Sequence, residues 1–510
     1  MAKVKKQSLE NKVRTRIAPS PTGFPHVGTA FQALFDWVFA RRYNGQFLLR
    51  IEDTDQKRLV VEAEQVLYDA FAWLGLIPDE GPQVGGPVGP YRQSERLELY
   101  QQHAQQLVGQ GNAYHCFCSS DRLEKVRQEQ RRRGIPPKYD GHCRNLSAEE
   151  IKKKLEAEEP YVIRLKVPVD EEIIVPDLLR GEVKFDSSVV DDQVLLKSNG
   201  FPTYHLAVVV DDHLMGITHV ERGEEWLPSA PKHVLLYRYF NWDMPILIHT
   251  PTLRNSDRSK LSKRKGNTSL WWYRGQGYLP EAILNFLGLL VWKPGNNQEK
   301  FSLAEMVAKF EWEEMNVTGP VFDTKKLEWL NGKYLRELEQ DELIERLTHW
   351  SNWVVELGED QDNLKQAQQL LTWMDRDQVR FKKALALSQD RARTFLDFYN
   401  LLGFYFKSKL NYDLADLLQK QKAADIVKAL TQTIAKLTNL KPYNAETWEK
   451  TIRDVADELG LSHKTLFMSL RSAVTAQRFT PPLFEVMETL GHEQSFNRIQ
   501  AAIDFINQQN

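Results

Sequence analysis

Two strand–helix pairs follow one another within the first 75 residues, and that alternation confines the chain to a parallel α/β architecture. VRTRIAP, residues 13–19, reads as a short strand entering a loop broken by Pro19, Pro21, Gly23 and Pro25. Thr29 to Arg42 suits a mostly buried helix. Gly45 then punctuates, and GQFLLRIEDTD reads as a buried strand ending in acids. Residues 61–75 are expected to form a second helix, closed by Gly75.

Downstream, residues 96–155 turn charged, read as helical, and contain all three cysteines. Strand-like sections follow at 160–165, 172–176 and 193–196. HLAVVVDDHLM, residues 205–215, reads as another buried strand ending in paired aspartates, so the parallel sheet is expected to resume there after an insertion. Beyond residue 270 the chain is helical with short loops. There LFEVMETL puts Leu483, Phe484, Met487 and Leu490 on one helical face.

A length of 510 residues and 42% hydrophobic content are enough for several cores. The balance of 67 basic and 69 acidic residues excludes a generally basic nucleic-acid binder, while leaving room for local basic patches. The basic N-terminus is not followed by the apolar run of a secretory signal. Ile283 to Trp292, the longest apolar stretch, is too short to span a bilayer. Three cysteines make no disulfide framework. A soluble, cytoplasmic protein without membrane contact is expected.

Chemistry enters at two places. The loop Pro19–Thr29 places backbone N–H groups at a helix N-terminus, where anions bind, with His26 and Gly28 at the junction. RNSDRSKLSKRKGN, residues 254–267, carries six basic side chains in 14 positions among small polar residues that let it wrap phosphates. Each segment alone has a plainer reading, a structural histidine in one case and a solvated charge run in the other. Together they predict a split ATP site.

PSPTGFPHVGT and KLSKR resemble the HIGH and KMSKS signatures of class I aminoacyl-tRNA synthetases. RIAPSPTG, LRIEDTD, GPYRQSER, PTYHLAVVVDDHLMG, FDTKKLEWLNGKY, LFMSLR and PPLFEVMETLG, in that order, resemble bacterial-type glutamyl-tRNA synthetase. The resemblance implies an α/β Rossmann-like catalytic domain with an α+β acceptor-binding insertion, followed by a mostly α-helical stem-contact and anticodon-binding region. Its implied boundaries are 1–95 and 204–270 for the two catalytic halves, 96–203 for the insertion, 271–340 for stem contact and 341–510 for anticodon binding.

The implied reaction joins L-glutamate to tRNA(Glu) through a glutamyl-adenylate, using ATP with Mg²⁺. His26, Lys260 and Lys263 are the implied catalytic residues, and His26, Gly28, Glu225, Lys260 and Lys263 the ATP contacts. Arg16, Ser20, Glu52, Tyr204 and Arg222 would hold glutamate, the arginines as carboxylate forks and Glu52 against the ammonium. Cys116, Cys118 and Cys143 resemble a zinc site present in part of the family. Zn²⁺ wants a fourth ligand, for which Tyr139, His142 and His115 are candidates, and three free thiols are the plainer alternative. Arg131 to Arg133 and Lys152 to Lys154 are candidate phosphate contacts. Gln378 lies where glutamate-only relatives can carry an anticodon-reading arginine, which points to charging of tRNA(Gln) as well. A monomer is expected. Among rivals, a truncated relative that glutamylates a modified tRNA base lacks a C-terminal region, and glutaminyl-tRNA synthetase has β-barrels where this chain is helical.

Overall fold

The computed structural model describes residues 12–55, 58, 60, 62–261, 268–295, 298–407 and 409–509. These fall into two compact units, Met1–Trp272 with Ile283–Asp323, and Tyr273–Ala282 with Thr324–Asn510. Strands of the first unit, among the described residues, are β1 (Arg14–Ile17), β2 (Gln46–Leu49), β3 (Ala113–Cys116), β4 (Val162–Leu165), β5 (Glu172–Asp177), β6 (Gly181–Asp186), β7 (Val194–Leu196), β8 (His219–Gly223) and β9 (Ile246–Thr250). The helices that matter for the site are α1 (Val27–Arg42), α2 (Ala63–Leu74), α3 (Leu97–Gly109), α4 (Ser120–Arg132), α5 (Ala148–Glu156), α6 (Tyr204–Leu214) and α7 (Ala230–Phe240).

β1 and β2 pair in parallel across α1, as the opening alternation requires. α2 ends on Gly75, whose φ of 73° suits a residue without Cβ. β8 and β9 form a second parallel pair, and β9 continues in parallel onto β5, which turns back into β6. Thr218 N donates to Arg14 O at 3.0 Å, and Arg14 N to Thr218 Oγ1 at 2.8 Å, which seats β8 beside β1. β5 and β6 therefore extend the β8–β9 sheet, although they lie inside the stretch expected to be the insertion. A separate small antiparallel sheet, β3–β4–β7, carries the cysteine cluster.

Two expectations need correction. HLAVVVDDHLM is helix, not strand: α6 buries Leu206 through Val210 on every side. A helix covered all round has no polar stripe, so its apolar run cannot be told from a buried strand by period. The section 96–155 is also not helical throughout, because AYHC forms β3 and pairs with β4.

In the second unit every regular element among the described residues is a helix. Together these helices enclose one apolar core that includes Trp350, Trp373, Phe398, Trp448, Leu466 and Ile503. The helix Leu483–Leu490 buries Leu483, Phe484, Met487 and Leu490, the face expected from its spacing. Gln378 is exposed at the first position of the helix Gln378–Gln389, just after its Asp377 cap.

Candidate active site

The strand-to-helix turn ahead of α1 is closed by a histidine. His26 is the N-cap residue, with extended backbone, and its Nδ1 accepts from Gly28 N at 3.0 Å and Thr29 N at 3.2 Å. With Nδ1 accepting two N–H groups, the neutral ring's proton belongs on Nε2. A Cβ on Gly28 would lie 2.9 Å from the His26 ring, so the glycine is needed for the cap itself as well as for close approach of a ligand. Val27 N donates to Thr268 O at 2.9 Å and Leu270 N to Pro25 O at 3.2 Å, tying this turn to the chain that leaves the KLSKR segment. His26, Gly28, Glu225 and Lys260 line one cavity of about 340 Å³. Lys260 Nζ reaches Glu225 Oε1 at 3.0 Å, while Thr252 Oγ1 donates to Glu225 Oε2 at 3.1 Å. An anion with its counter-ion fits here, against a helix N-terminus and a lysine. Lys263 lies outside the described residues.

Arg16, Ser20, Glu52, Tyr204 and Arg222 converge on a second cavity of about 940 Å³. Thr29, Gln32 and Trp226 line both cavities, so the two adjoin. Tyr204 packs its ring against Trp226 at 4.6 Å between centroids. Arg222 donates Nε to His249 Nε2 at 3.0 Å and Nη1 to His233 Nδ1 at 2.9 Å, while its buried Nη2 has no hydrogen-bond partner.

Beneath the cavity lies an ion network that sequence reasoning missed. Arg16 forks onto Asp212 at 3.0 and 3.3 Å and gives its remaining Nη1 to Glu221 O at 3.2 Å. Arg50 reaches Asp212 at 2.7 Å and Glu52 at 3.2 Å. Asp211, its neighbour on α6, accepts from Arg96, Tyr100 and Gln93. All of these charges are buried. The signal was present in the sequence: Arg50 and the pair Asp211–Asp212 sit in or against apolar runs, and charges so placed need partners. Burial is the largest influence on the Glu52 carboxyl and, against the pull of Arg50 and Arg16, pushes it up to about 7. Glu221, at the same wall, is likewise pushed up to about 7, mainly by burial.

The cysteine cluster is compact. Ligand atoms of Cys116, Cys118 and Cys143 all lie within 4.8 Å of one another, with Cys118 Sγ 3.5 Å from Cys143 Sγ. The Tyr139 hydroxyl stands 3.4 Å from Cys116 Sγ and 3.5 Å from Cys118 Sγ. Three thiols and a phenol converging at these spacings suit a tetrahedral ion with zinc's preference for sulfur. His142 is exposed, and His115 packs against Tyr161. Of the basic runs, Arg131, Arg133 and Lys154 are engaged by Glu124, Glu129 and Glu159 on their own segments.

Comparison with known proteins gives the family. The family model for the class I tRNA synthetase (E and Q) catalytic domain matches residues 12–329, and an anticodon-binding domain model matches 342–503. A glutamate–tRNA ligase of Pseudomonas putida is 46% identical over 97% of this chain and 96% of its own length. The chain belongs to the glutamate–tRNA ligases. One of Acinetobacter baumannii is 44% identical over 97% of this chain and 94% of its own. Among solved ligase structures, that of Elizabethkingia meningosepticum in complex with its amino acid superposes with a TM-score of 0.81 at 35% identity, covering 97% of this chain and 100% of the other. Membership of this class I family accounts for the helical second unit as an anticodon-binding domain.

Proposed function

We propose that the adjoining cavities hold the two substrates of glutamate activation, glutamate in the larger and ATP in the smaller. The observation that carries this is the division of labour along one wall. Every described residue expected to hold glutamate faces one cavity, and every described residue expected to hold ATP faces the other. In this reading Arg16, Arg222 and Tyr204 take carboxylate, Glu52 takes the ammonium, and Ser20 closes the loop side. The glutamate α-carboxylate oxygen attacks the α-phosphorus of ATP, forming glutamyl-adenylate and releasing pyrophosphate. A 3′-terminal hydroxyl of tRNA then takes the acyl group and AMP leaves. Neither step needs a protein nucleophile, so catalysis is positioning and charge stabilisation. His26 Nε2–H, Lys260 and Lys263 would hold the phosphates, with Mg²⁺ arriving on ATP. Lys260 would leave Glu225 for the triphosphate as it binds.

Purified protein, ATP and labelled glutamate should charge tRNA(Glu), and ATP–pyrophosphate exchange should appear only when tRNA is added. Robust exchange without tRNA would contradict the mechanism. Charging of tRNA(Gln) with glutamate would support the reading of Gln378, and its absence would end it. The reading also includes the organisation 1–95 and 204–270, 96–203, 271–340 and 341–510, in a cytoplasmic monomer, whose mass light scattering would check. Zn²⁺ would be held by Cys116, Cys118, Cys143 and Tyr139, where it would pin the turn after β3 to the loop before α5. Metal analysis should return close to one equivalent, and less than about 0.2 would retire the site.

A further inference from the structure

We propose that Asp177, His249 and His233 are positioning residues for amino-acid recognition, a fixed hydrogen-bond chain that aims the one uncommitted nitrogen of Arg222 at the substrate carboxylate. The proposal rests on the reading of Arg222 as a carboxylate fork. Its basis is a chain with only one consistent proton arrangement.

Arginine donates and cannot accept. The 3.0 Å contact from Arg222 Nε therefore makes His249 Nε2 an acceptor, which puts the ring proton on Nδ1. That Nδ1 lies 2.6 Å from Asp177 Oδ2, which takes the proton's hydrogen bond. On the other arm, Arg222 Nη1 at 2.9 Å makes His233 Nδ1 an acceptor, so His233 carries its proton on Nε2 and offers it to His205 Nδ1 at 3.1 Å. Asp177, Arg222, His233 and His249 are all buried, and both rings are disfavoured as cations chiefly by burial, with Arg222 adding to it at His233 and Asp177 pulling the other way at His249 without reversing it. Neutral imidazoles in these tautomers present lone pairs to the guanidinium. Nε and Nη1 then each have an acceptor, and Nη2, buried and without a hydrogen-bond partner at the cavity wall, is the one nitrogen left without one.

Asp177 has two duties that a substitution can separate. Its Oδ1 accepts from Leu179 N and Arg180 N at 3.0 and 2.9 Å, which shapes the turn between β5 and β6. Its Oδ2 accepts from His249 N at 3.0 Å as well as from the ring, which sets the tautomer. In Asp177→Asn the amide keeps its oxygen toward the two turn N–H groups, because turning it round would set NH₂ against both. Its NH₂ thus replaces Oδ2, gives up the one bond from His249 N and faces His249 Nδ1 as a donor. The ring then carries its proton on Nε2, facing the Nε–H of Arg222, and two donors collide. Asp177→Ala imposes no tautomer and leaves Arg222 to select the productive one.

The test is KM for glutamate and for ATP in tRNA charging by the full-length protein. Asp177→Asn should raise the glutamate KM about tenfold or more, above Asp177→Ala, with the ATP KM unchanged in both. His249→Gln keeps an oxygen to accept from Arg222 and has no tautomer to invert. It should stay within about threefold of wild type, while His249→Leu loses about tenfold or more, and Asp177→Asn should add little in the Gln background. Alanine at 177 at least as harmful as asparagine would reduce Asp177 to a turn-holding role and overturn the proposal. Equal losses for Gln and Leu at 249 would do the same, even if the variants at 177 do not fold. Arg222→Ala separates the two levels: an unchanged glutamate KM there would end the fork reading itself, whereas a raised one combined with no Asn–Ala difference would end only the positioning chain.

Discussion

The two cavities are lined by the same wall and built on opposite principles. On the side proposed for glutamate the charges are buried and committed. Arg16, Arg50 and Asp212 hold one another from three separate segments of the chain, and Arg222 is braced by two histidines. On the side proposed for ATP His26 and Lys260 are exposed, and among the described residues the Lys260 ammonium pairs with Glu225 in an exchangeable ion pair. A site that must reject near-identical amino acids gains from donors that cannot relax around the wrong ligand, because an unpaired buried donor is costly. A site whose anion changes charge distribution as it reacts gains from a cation that can follow.

That contrast predicts opposite failures, beginning with the largest. Asp212→Ala removes the shared partner of two buried arginines and should cost about 3–5 kcal/mol of stability. Urea unfolding of the variant would measure it, and a loss under 1 kcal/mol would mean that water relieves the network. Lys260→Ala should leave unfolding unchanged while slowing single-turnover adenylation about 10²–10³-fold. Parallel losses in both assays would erase the distinction between the two sides. Gly28→Ala drives a methyl into the His26 ring, so the loss of the cap should cost about 1 kcal/mol and raise the ATP KM while sparing that for glutamate.

The smallest effect is a pH dependence. Glu52, held up to about 7, keeps a proton that the unfolded chain releases near its ordinary value of 4.5. Its contribution to stability is therefore full below about pH 4.5 and is lost as pH rises through about 7. Binding runs the other way, since only ionised Glu52 can pair an ammonium. The glutamate KM should rise as pH falls below about 7, and Glu52→Gln should give a higher, flatter profile. A wild-type slope retained in Glu52→Gln would remove Glu52 from recognition.

The sequence made some features legible and hid others for definable reasons. The β1–α1–β2 unit was readable because strand and helix there are punctuated by Gly and Pro. The helix Leu483–Leu490 was readable because one of its faces is polar. α6 was not: its apolar run meets protein all round, and the period that separates helix from strand disappears when no face sees water. The two aspartates that end its apolar run read as a strand terminus, whereas they anchor the arginines under the larger cavity.

The sequence by itself determined the chemistry available to this protein: a histidine and lysines able to meet phosphates, arginines able to meet carboxylate, three thiols within 28 residues, and the α/β order that brings strand ends together. Those are properties of residue type and local spacing. Only the tertiary structure decided which of these groups share a cavity and which partners surround each one. Arg222 meets His233 and His249 from 11 and 27 residues away, and Asp177 joins them from 72 residues before His249. Separations like these carry no local signal. Burial is the largest influence on the protonation of Glu52, His233 and His249, and burial belongs to the packed fold rather than to any segment of the chain.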